Sequence, residues 1–161
     1  MKGVVVSDTS PPRYLIELDV VEFLPRLFTE IFVPPAVINE LSGARTPDKV
    51  REWVAEPPAW LKIVAPQHAP NNLGLDLGET QAIWLGEEYG IKSILIDERK
   101  GVRVARERGF RVAGTLALIE RFSAQGWVDF ENVIEHLRLT TFRFDERLIV
   151  AIRERLRARQ S

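Results

Sequence analysis

The sequence predicts an α/β protein of the three-layer α/β/α sandwich type, in which helices cover both faces of a mainly parallel central sheet. Short apolar runs alternate regularly with segments of helical periodicity, a pattern typical of parallel sheets. The first run, residues 3–7, is apolar almost without a break, as expected of a strand that is covered on both faces. Proline or glycine marks most boundaries between these segments, which supports the division into separate elements.

The chain of 161 residues has the length of one domain. We therefore predict a single domain, 1–161, with an α/β core over roughly residues 3–130 and a helical extension over roughly residues 131–161. The extension is predicted because helical patterns at 131–139 and 146–159 follow one another without a strand between them.

Within the core, each element follows from apolar periodicity and from its flanking residues. Residues 65–74 are rich in proline and asparagine, and they predict a loop that crosses the sheet rather than a domain boundary. The predicted strands are residues 3–7, 31–33, 61–64, 93–96 and 110–113. The predicted helices begin near Pro11, Pro35, Lys49, Gly78, Gly101 and Leu116.

Composition excludes several classes of protein. With no cysteine, the chain has no disulfide, no thiolate metal site and no cysteine nucleophile. The start of the chain carries too short an apolar run for a signal peptide, and no apolar stretch reaches membrane-spanning length. We therefore expect a cytoplasmic protein without a membrane partner. The net charge of −1 does not itself indicate nucleic-acid binding, so the distribution of charge has to carry that argument.

Four acidic residues mark the predicted carboxyl edge of the sheet. Asp8 and Asp97 each end an apolar strand, Glu79 lies in the first turn of a helix, and Glu40 projects from the early turns of another. Ligands of open α/β sheets bind at this edge. Carboxylates that meet there repel one another by roughly 4 kcal/mol per close pair, unless they share protons or hold cations. Oxygen ligands of this kind favour Mg²⁺ or Mn²⁺, as one or two ions.

Each acid also has a purely structural explanation. Asp8, Thr9 or Ser10 could cap the helix that starts near Pro11. Glu79 would favour the dipole of its helix, and Glu40 could simply be solvated. Asp97 could be a capping or ion-paired residue, and Glu98 competes with it for the strand-end position. Asp76, which the sequence places in a loop, ranks below the four.

Five short motifs occur in order between residues 4 and 130. They are D-T-S-P at 8–11, V-P-P-A-V-I-N-E-L at 33–41, L-D-L-G-E-T-Q-A-I at 75–83, I-D-E-R at 96–99 and G-T-L at 114–116. As a set, these motifs resemble the PIN-domain superfamily of metal-dependent nucleases, and most of all its prokaryotic VapC-toxin-like branch.

The resemblance implies a function and a site. Asp8, Glu40, Glu79 and either Asp97 or Glu98 would bind the metal, and Thr9 and Ser10 would support them. RNA would be the substrate, cut by in-line attack of a metal-activated water to leave a 5′-phosphate. Small proteins of this kind resemble toxins of toxin–antitoxin pairs, so an antitoxin protein and a homodimer are the expected partners.

Basic residues supply possible contacts to phosphates. Arg99, Lys100 and Arg103 follow Asp97 closely and could reach phosphates beside the metal. For Arg106 and Arg108 a solvated helix face is the favoured interpretation. A second basic run contains Arg153, Arg155, Arg157 and Arg159, and it is interpreted as a frayed, solvated tail.

Two other classes of protein compete with the nuclease. A receiver-like phosphoryl-transfer domain also gathers acids around Mg²⁺, but it expects paired acids after its first strand and a lysine after its last. Here Asp8 is alone, and Gly114-Thr115 follows the last strand. The other alternative is a catalytically inert interaction module on a PIN scaffold, and retention of all four acids argues against it.

Overall fold

The computed structural model describes residues 2–70 and 72–160 and contains alternating strands and helices. The elements in chain order are β1 (Gly3–Ser7), α1 (Ser10–Glu17), a 3₁₀ helix (Val21–Arg26), β2 (Phe28–Val33), α2 (Pro35–Leu41), α3 (Asp48–Ala55), β3 (Leu61–Ile63), α4 (Leu77–Tyr89), β4 (Ser93–Leu95), α5 (Arg99–Glu107), β5 (Arg111–Ala113), α6 (Thr115–Ala124), α7 (Phe130–Leu137) and α8 (Glu146–Arg159).

Among the described residues, five strands form one sheet in the order β3-β2-β1-β4-β5, and all neighbouring pairs are parallel. Helices flank this sheet, so the predicted α/β sandwich with a parallel sheet is confirmed. The chain proceeds outward from β1 to β3 on one side, and then returns to place β4 on the other side of β1. The edge between β1 and β4 is therefore the point where strand order reverses, which is where ligands of such sheets bind.

One face of the sheet packs against helices α4 and α5. Val6 of β1 and Ile94 of β4 are neighbours in register, and both are fully buried in this cluster with Ile83 and Ala105. Gly86 lets α4 approach closely, since a Cβ at this position would lie 2.5 Å from the Phe110 ring. Burial of each large aliphatic side chain stabilises the fold by about 1.5–3 kcal/mol, so this packing fixes the carboxyl ends of β1 and β4 relative to α4.

Several boundaries differ from those predicted. Strand β2 begins at Phe28 instead of residue 31, and helix α5 begins at Arg99, two residues before the predicted Gly101. Helix α4 ends where expected, because Gly90 adopts the left-handed conformation with φ of 67°. Within the described residues, no helix is both long and apolar enough to cross a membrane.

Over its described ranges the chain folds as two compact units, one extending to Thr115 and the other starting at Leu116. This division comes earlier than the predicted start of the helical extension near residue 131, and the single-domain organisation stays a prediction. In the second unit, helix α8 is continuous to Arg159. Arg153 pairs with Glu131 at 2.7 Å and Arg155 pairs with Glu120 at 2.8 Å. The predicted frayed tail is therefore wrong, because the segment is a continuous helix and two of its four arginines pair with acidic residues.

Candidate active site

Asp8 and Asp97 lie at the carboxyl ends of adjacent strands. Asp8 follows β1 directly, and Asp97 follows β4 after one further residue. The backbone N–H of Asp8 donates a 2.9 Å hydrogen bond to the carbonyl oxygen of Leu95, which ties the two strand ends together. Both carboxylates therefore belong to the edge where strand order reverses.

Three hydrogen bonds fix the Asp97 carboxylate. The Ser10 hydroxyl donates to Oδ2 at 2.6 Å, and Thr115 donates its backbone N–H to Oδ1 and its hydroxyl to Oδ2, both at 2.7 Å. Gly114 leaves room for this arrangement, since a Cβ there would lie 2.6 Å from Oδ1. Thr115 is a site residue that the sequence prediction did not assign, although the G-T-L motif contains it.

Glu98 takes a different position from Asp97. It is exposed at the N-cap of α5, and its side chain makes no capping hydrogen bond in the part of the chain that the structure describes. The electrostatic partners that act on Asp8 include Asp97 and do not include Glu98. Of the two residues that the sequence left open, the structure thus favours Asp97 as the member of the acidic cluster.

Asp8 is buried, with 6% of its surface exposed. Burial is the main reason why the pKa of this carboxyl rises to about 7, and the charges of Asp76, Glu40 and Asp97 raise it further. The backbone N–H of Thr9 acts in the opposite direction and lowers the pKa. A carboxyl group under this repulsion favours either a proton or a cation at neutral pH.

The alternative that Asp8, Thr9 and Ser10 serve as helix caps is wrong. Helix α1 has Thr9 at its N-cap, and within the described residues no side chain caps this helix end. The Thr9 hydroxyl instead donates to Oε2 of Glu40 at 2.6 Å, and the Ser10 hydroxyl donates to Asp97. Both hydroxyls thus donate to acids of the cluster, and the supporting role in metal binding that the resemblance implies for them stays a prediction.

Glu40 lies in the last turn of α2, so its predicted place in the early turns is wrong. The helix has only seven residues, and its end is fixed by the Thr46 hydroxyl, which donates to the Glu40 carbonyl oxygen at 2.9 Å. Glu40 nevertheless reaches Asp8 across Gly78. A Cβ on Gly78 would lie 2.8 Å from Glu40 Oε1 and 3.1 Å from Asp8 Oδ1, so both oxygens border the same small space.

Glu79 and Asp76 form a capping box at the start of α4. The Glu79 backbone N–H donates to Asp76 Oδ1 at 2.8 Å, and the Asp76 backbone N–H donates to Glu79 Oε1 at 3.4 Å. Glu79 is 4% exposed, and its pKa rises to about 8, first because of burial and then because of Asp76 and Asp8. Among the described residues, its Oε2 atom has no hydrogen-bond partner.

Asp76 has a structural role that the sequence prediction did not assign to it, while its rank among the site acids stays a prediction. It caps α4 and it also raises the pKa of both Asp8 and Glu79. The sequence did contain a signal for the cap, because an aspartate followed three residues later by a glutamate, before an apolar run, is typical of a capping box. Its proximity to Asp8 depends on the packing of α4 against β1, which a local pattern does not reveal.

The donor set fits a hard divalent cation. All the clustered groups offer oxygen, and a buried carboxylate oxygen without a partner, such as Glu79 Oε2, is costly unless something pairs with it. As arranged over residues 2–70 and 72–160, no three acidic or histidine side chains surround one point closely enough to be a ready metal site. The hydrogen bonds of Asp97 to Ser10 and Thr115, and of Glu40 to Thr9, account for the orientation of two of the acids.

A basic groove borders the acids on the side of α5. It has a volume of about 500 Å³ and is lined by Asp97, Arg99, Val102, Arg103, Arg106 and Glu107. Arg99, Lys100 and Arg103 are exposed, and none forms an ion pair with another described residue. Lys100 extends toward the loop before α4, with Nζ 3.6 Å from the position of a Cβ on Gly74.

The two arginines for which a solvated helix face was favoured behave differently. Arg108 pairs with Glu87 at 2.8 Å, which accounts for it without a ligand. Arg106 is exposed, as expected of a solvated helix face, and it also lines the basic groove. The three predicted phosphate contacts and Arg106 thus lie on one helix beside Asp97.

An all-parallel α/β sheet with acids gathered where its strand order reverses is typical of proteins that bind a ligand at that edge. Residues 4–158 match the sequence model of the PIN domain, and the chain therefore belongs to the PIN-domain family. No curated protein sequence matches this chain at a significant level. PIN domains are typically nucleases and generally use divalent metals, so family membership indicates a nuclease.

Proposed function

We propose that this protein is a divalent-metal-dependent endoribonuclease of the VapC-toxin-like branch, which hydrolyses phosphodiester bonds of RNA. The observation that carries the proposal is the junction of Asp8 and Asp97 at the ends of β1 and β4. Glu79, which is buried beside them and has an oxygen unpaired in the described part of the chain, supports it. The choice of RNA over DNA comes from the resemblance of the motifs to that branch.

The proposal assigns a role to each side chain at the site. The carboxylates proposed to hold Mg²⁺ or Mn²⁺, as one or two ions, are Asp8, Glu40, Glu79 and Asp97. When bound, such an ion lowers the pKa of water toward neutrality and offsets charge on the phosphate. Ser10 and Thr115 orient Asp97, and Thr9 orients Glu40, through the hydrogen bonds described above. None of these acids has to act as a nucleophile.

The substrate would be held mainly by its backbone. Arg99, Lys100 and Arg103 are exposed beside Asp97 and could neutralise the phosphates that flank the cut. This local cluster compensates for an acidic site in a chain whose net charge is only −1. We therefore expect binding that weakens steeply with salt.

The test of the activity uses purified protein and single-stranded RNA with Mn²⁺ or Mg²⁺. We expect cleavage that leaves 5′-phosphate ends and stops on addition of a chelator. Asp97→Asn, which keeps the shape of the side chain, should lower kcat/KM by at least about 100-fold while circular dichroism stays unchanged. Glu98→Gln, one position further, is the matched variant and should keep activity close to that of the wild type.

Two results would reject the proposal in favour of its alternatives. Phosphorylation of the protein by a small phosphodonor in the presence of Mg²⁺, without RNA cleavage, would indicate a receiver-like domain. Absence of both cleavage and divalent-ion binding, measured by titration calorimetry, would indicate an inert interaction module.

The biological role is a separate part of the proposal. We propose a cytoplasmic toxin, a homodimer, silenced by an antitoxin protein, on the basis of the same motif resemblance. Induced expression should arrest growth, Asp97→Asn should not, and co-expression of a short neighbouring reading frame should restore growth. If wild type and Asp97→Asn slow growth equally, the toxin role is rejected and the nuclease activity stands on its own assay. Light scattering on the purified protein tests the dimer.

A further inference from the structure

Three glycines border the acidic cluster, and each lies against a carboxylate oxygen of the proposed metal ligands. Gly78 and Gly114 do so for three of the acids, as described above. Gly101 does so for the fourth, since a Cβ on this residue would overlap with Glu79 Oε2 and would lie 3.3 Å from Glu79 Cδ. Each of the four acids proposed as metal ligands thus occupies space that a glycine leaves open.

The backbone conformation does not require glycine at position 101. Gly101 is the third residue of helix α5, and it does not have the positive φ that favours glycine. Glycine is less favourable than alanine inside a helix, so an alanine would stabilise α5 if there were room for it. The room is missing on two sides, because the Cβ would also lie 2.5 Å from Ile96 Cδ1. Gly101 therefore serves the close packing of α5 against its neighbours.

Glu79 depends on this space more than Asp97 and Glu40 depend on theirs. Three hydrogen bonds hold the Asp97 carboxylate, and a threonine hydroxyl holds Glu40 at 2.6 Å. Glu79 Oε2, in contrast, is buried and has no hydrogen-bond partner among the described residues. The other oxygen of Glu79 accepts one long hydrogen bond, of 3.4 Å, from the backbone of Asp76. The place of Oε2 is therefore set by the surface against which it packs, which is Gly101.

We infer that Gly101 is a positioning residue for metal binding, because it lets α5 pack so closely against Glu79 that this carboxylate is held where it can bind the ion. The inference rests on the proposed function, in which Glu79 is a metal ligand. It adds a residue that touches neither the ion nor the RNA and that acts through Glu79. The same turn of α5 carries Arg99 and Lys100, so the close packing also brings the proposed phosphate contacts next to the acids.

A purely structural role for Gly101 predicts a different behaviour. Ile96 is fully buried, and an alanine at position 101 could be accommodated by a shift of Ile96 alone. Ile96→Val removes the Cδ1 atom and with it this clash, while the overlap with Glu79 remains. The double variant Gly101→Ala/Ile96→Val therefore separates core packing from positioning of the acid.

The experiment measures binding of Mn²⁺ by titration calorimetry, with Tm recorded for every variant. We expect Gly101→Ala to raise the Kd for Mn²⁺ by at least about 10-fold, as is typical when residues that orient metal ligands are replaced. The double variant should bind as weakly as Gly101→Ala, because relief of the clash with Ile96 does not return Glu79 to its place. Ile96→Val alone should bind Mn²⁺ like the wild type.

The matched control is Gly86→Ala. Gly86 lies on α4, and a Cβ there would be 2.5 Å from the Phe110 ring and 3.2 Å from Val6 Cγ2, so its nearest neighbours are apolar. This variant creates a clash as close as that with Ile96, and its Tm should fall. Its Kd for Mn²⁺ should equal that of the wild type, which separates loss of stability from loss of positioning.

A double-mutant cycle with Glu79→Asp tests whether the effect passes through Glu79. Aspartate is one methylene shorter, so its carboxylate is drawn back from Gly101. In the Glu79→Asp background, Gly101→Ala should change the Kd for Mn²⁺ much less than it does in the wild type. Equal fold-changes in the two backgrounds would mean that Gly101 acts on another group and would overturn the inference. If Glu79→Asp binds no Mn²⁺, the comparison of Gly101→Ala/Ile96→Val with Gly86→Ala decides.

The outcomes separate the inference from the proposed function. If the wild type binds Mn²⁺ and cleaves RNA while Gly101→Ala binds Mn²⁺ equally well, or while Ile96→Val restores its affinity, the inference is overturned and the nuclease stands. If Gly101→Ala does not fold, recovery of folding by Glu79→Asp supports the inference, and failure to recover overturns it. If the wild type binds Mn²⁺ without cleaving RNA, the nuclease is rejected and the binding comparison still decides on Gly101. If the wild type does neither, both are overturned.

Discussion

Thr115 holds the Asp97 carboxylate through two 2.7 Å hydrogen bonds, one from its backbone N–H and one from its hydroxyl. Thr115, two residues beyond β5, thus orients the acid that follows β4, and Ser10, three residues beyond β1, adds a third bond. Bonds of this kind to a charged group contribute about 1.5–3 kcal/mol each when buried. The orientation of Asp97, which follows β4, is therefore set by residues that follow two other strands, β5 and β1.

Replacement of Thr115 by valine tests this arrangement. Thr115 is fully buried, and Thr115→Val removes the hydroxyl bond while it keeps the N–H bond and the shape. We expect the free energy of unfolding to fall by about 1–2 kcal/mol and kcat/KM to fall by about 10-fold. Thr115→Ser keeps the hydroxyl and should restore most of the activity. Equal activity of the valine and serine variants would contradict the role of the hydroxyl.

Gly78→Ala should separate activity from stability. The new Cβ would lie 2.8 Å from Glu40 Oε1 and 3.1 Å from Asp8 Oδ1, so these carboxylates have to move apart. Alanine in a helix is itself favourable by up to about 1 kcal/mol relative to glycine, so thermal stability should change little. We expect at least about a 10-fold loss of RNA cleavage. Gly3→Ala is the control, since no described atom lies within 4 Å of its Cβ position.

The buried acids should make the metal-free protein less stable as pH rises. The pKa of Asp8 is raised from 3.8 to about 7 and that of Glu79 from 4.5 to about 8, so the folded state binds these protons more tightly than the unfolded state. Their stabilising contribution is fully present below the unfolded pKa values and is lost as pH rises through the folded ones. With chelator present, Tm should be lower at about pH 8.5 than at about pH 5.5. The corresponding fall in the free energy of unfolding should be on the order of a few kcal/mol.

Two comparisons check the origin of that pH dependence. Asp8→Asn should flatten it and raise Tm at the higher pH, because the variant has no charge to bury at this position. Mn²⁺ should raise the Tm of wild type more at about pH 8.5 than at about pH 5.5, since protons compete with the cation. The paired Glu120 and Glu131, whose pKa values are lowered mainly by Arg155 and Arg153, act in the opposite direction and only at lower pH. A Tm that rises toward pH 8.5 without metal would contradict this prediction.

The basic groove predicts a specific effect on salt dependence. Arg103 is exposed in that groove, so Arg103→Gln should weaken binding of single-stranded RNA and reduce the slope of log K against log salt by about 0.7. Arg45→Gln removes the same charge at an exposed position in the loop after α2 and should leave the slope unchanged. Equal slopes for wild type and Arg103→Gln, measured by fluorescence anisotropy, would exclude a phosphate contact at this residue.

The position of Asp8 and Asp97 at the same edge of the sheet was predictable, because it depends on two strand ends alone. Parallel strands end at one edge, and Asp8 follows the unbroken apolar run 3–7. The order of the strands was not encoded in any local pattern, and it decides that β4 lies beside β1. The sequence also could not decide between Asp97 and Glu98 as the fourth metal ligand. Neighbouring side chains of a strand point in opposite directions, so a shift of one residue in the strand end exchanges the two.

The supporting residues were harder to predict than the acids. Thr115 contacts Asp97 through the pairing of β4 with β5, and Gly78 matters because two distant carboxylates meet above it. Both contacts join residues that are distant in sequence, so rules on periodicity and helix capping do not predict them. Glu40 was misplaced within α2 for a local reason, because helix boundaries shift by one or two residues and this helix has only two turns.

Glu79 combines an observed structural role, in the capping box of α4, with the metal-binding role proposed for it. One of its oxygens helps to start helix α4, a task that any folded descendant of this protein would still need. We would therefore expect a relative without catalytic activity to keep this glutamate for its role in the capping box. The presence of Glu79 alone is thus not evidence of catalytic activity. Asp97 is in the same position, because its Oδ1 accepts the backbone N–H of Thr115 at the first residue of α6 and so helps to hold the start of that helix. A relative that keeps either acid can therefore be well folded and still inactive.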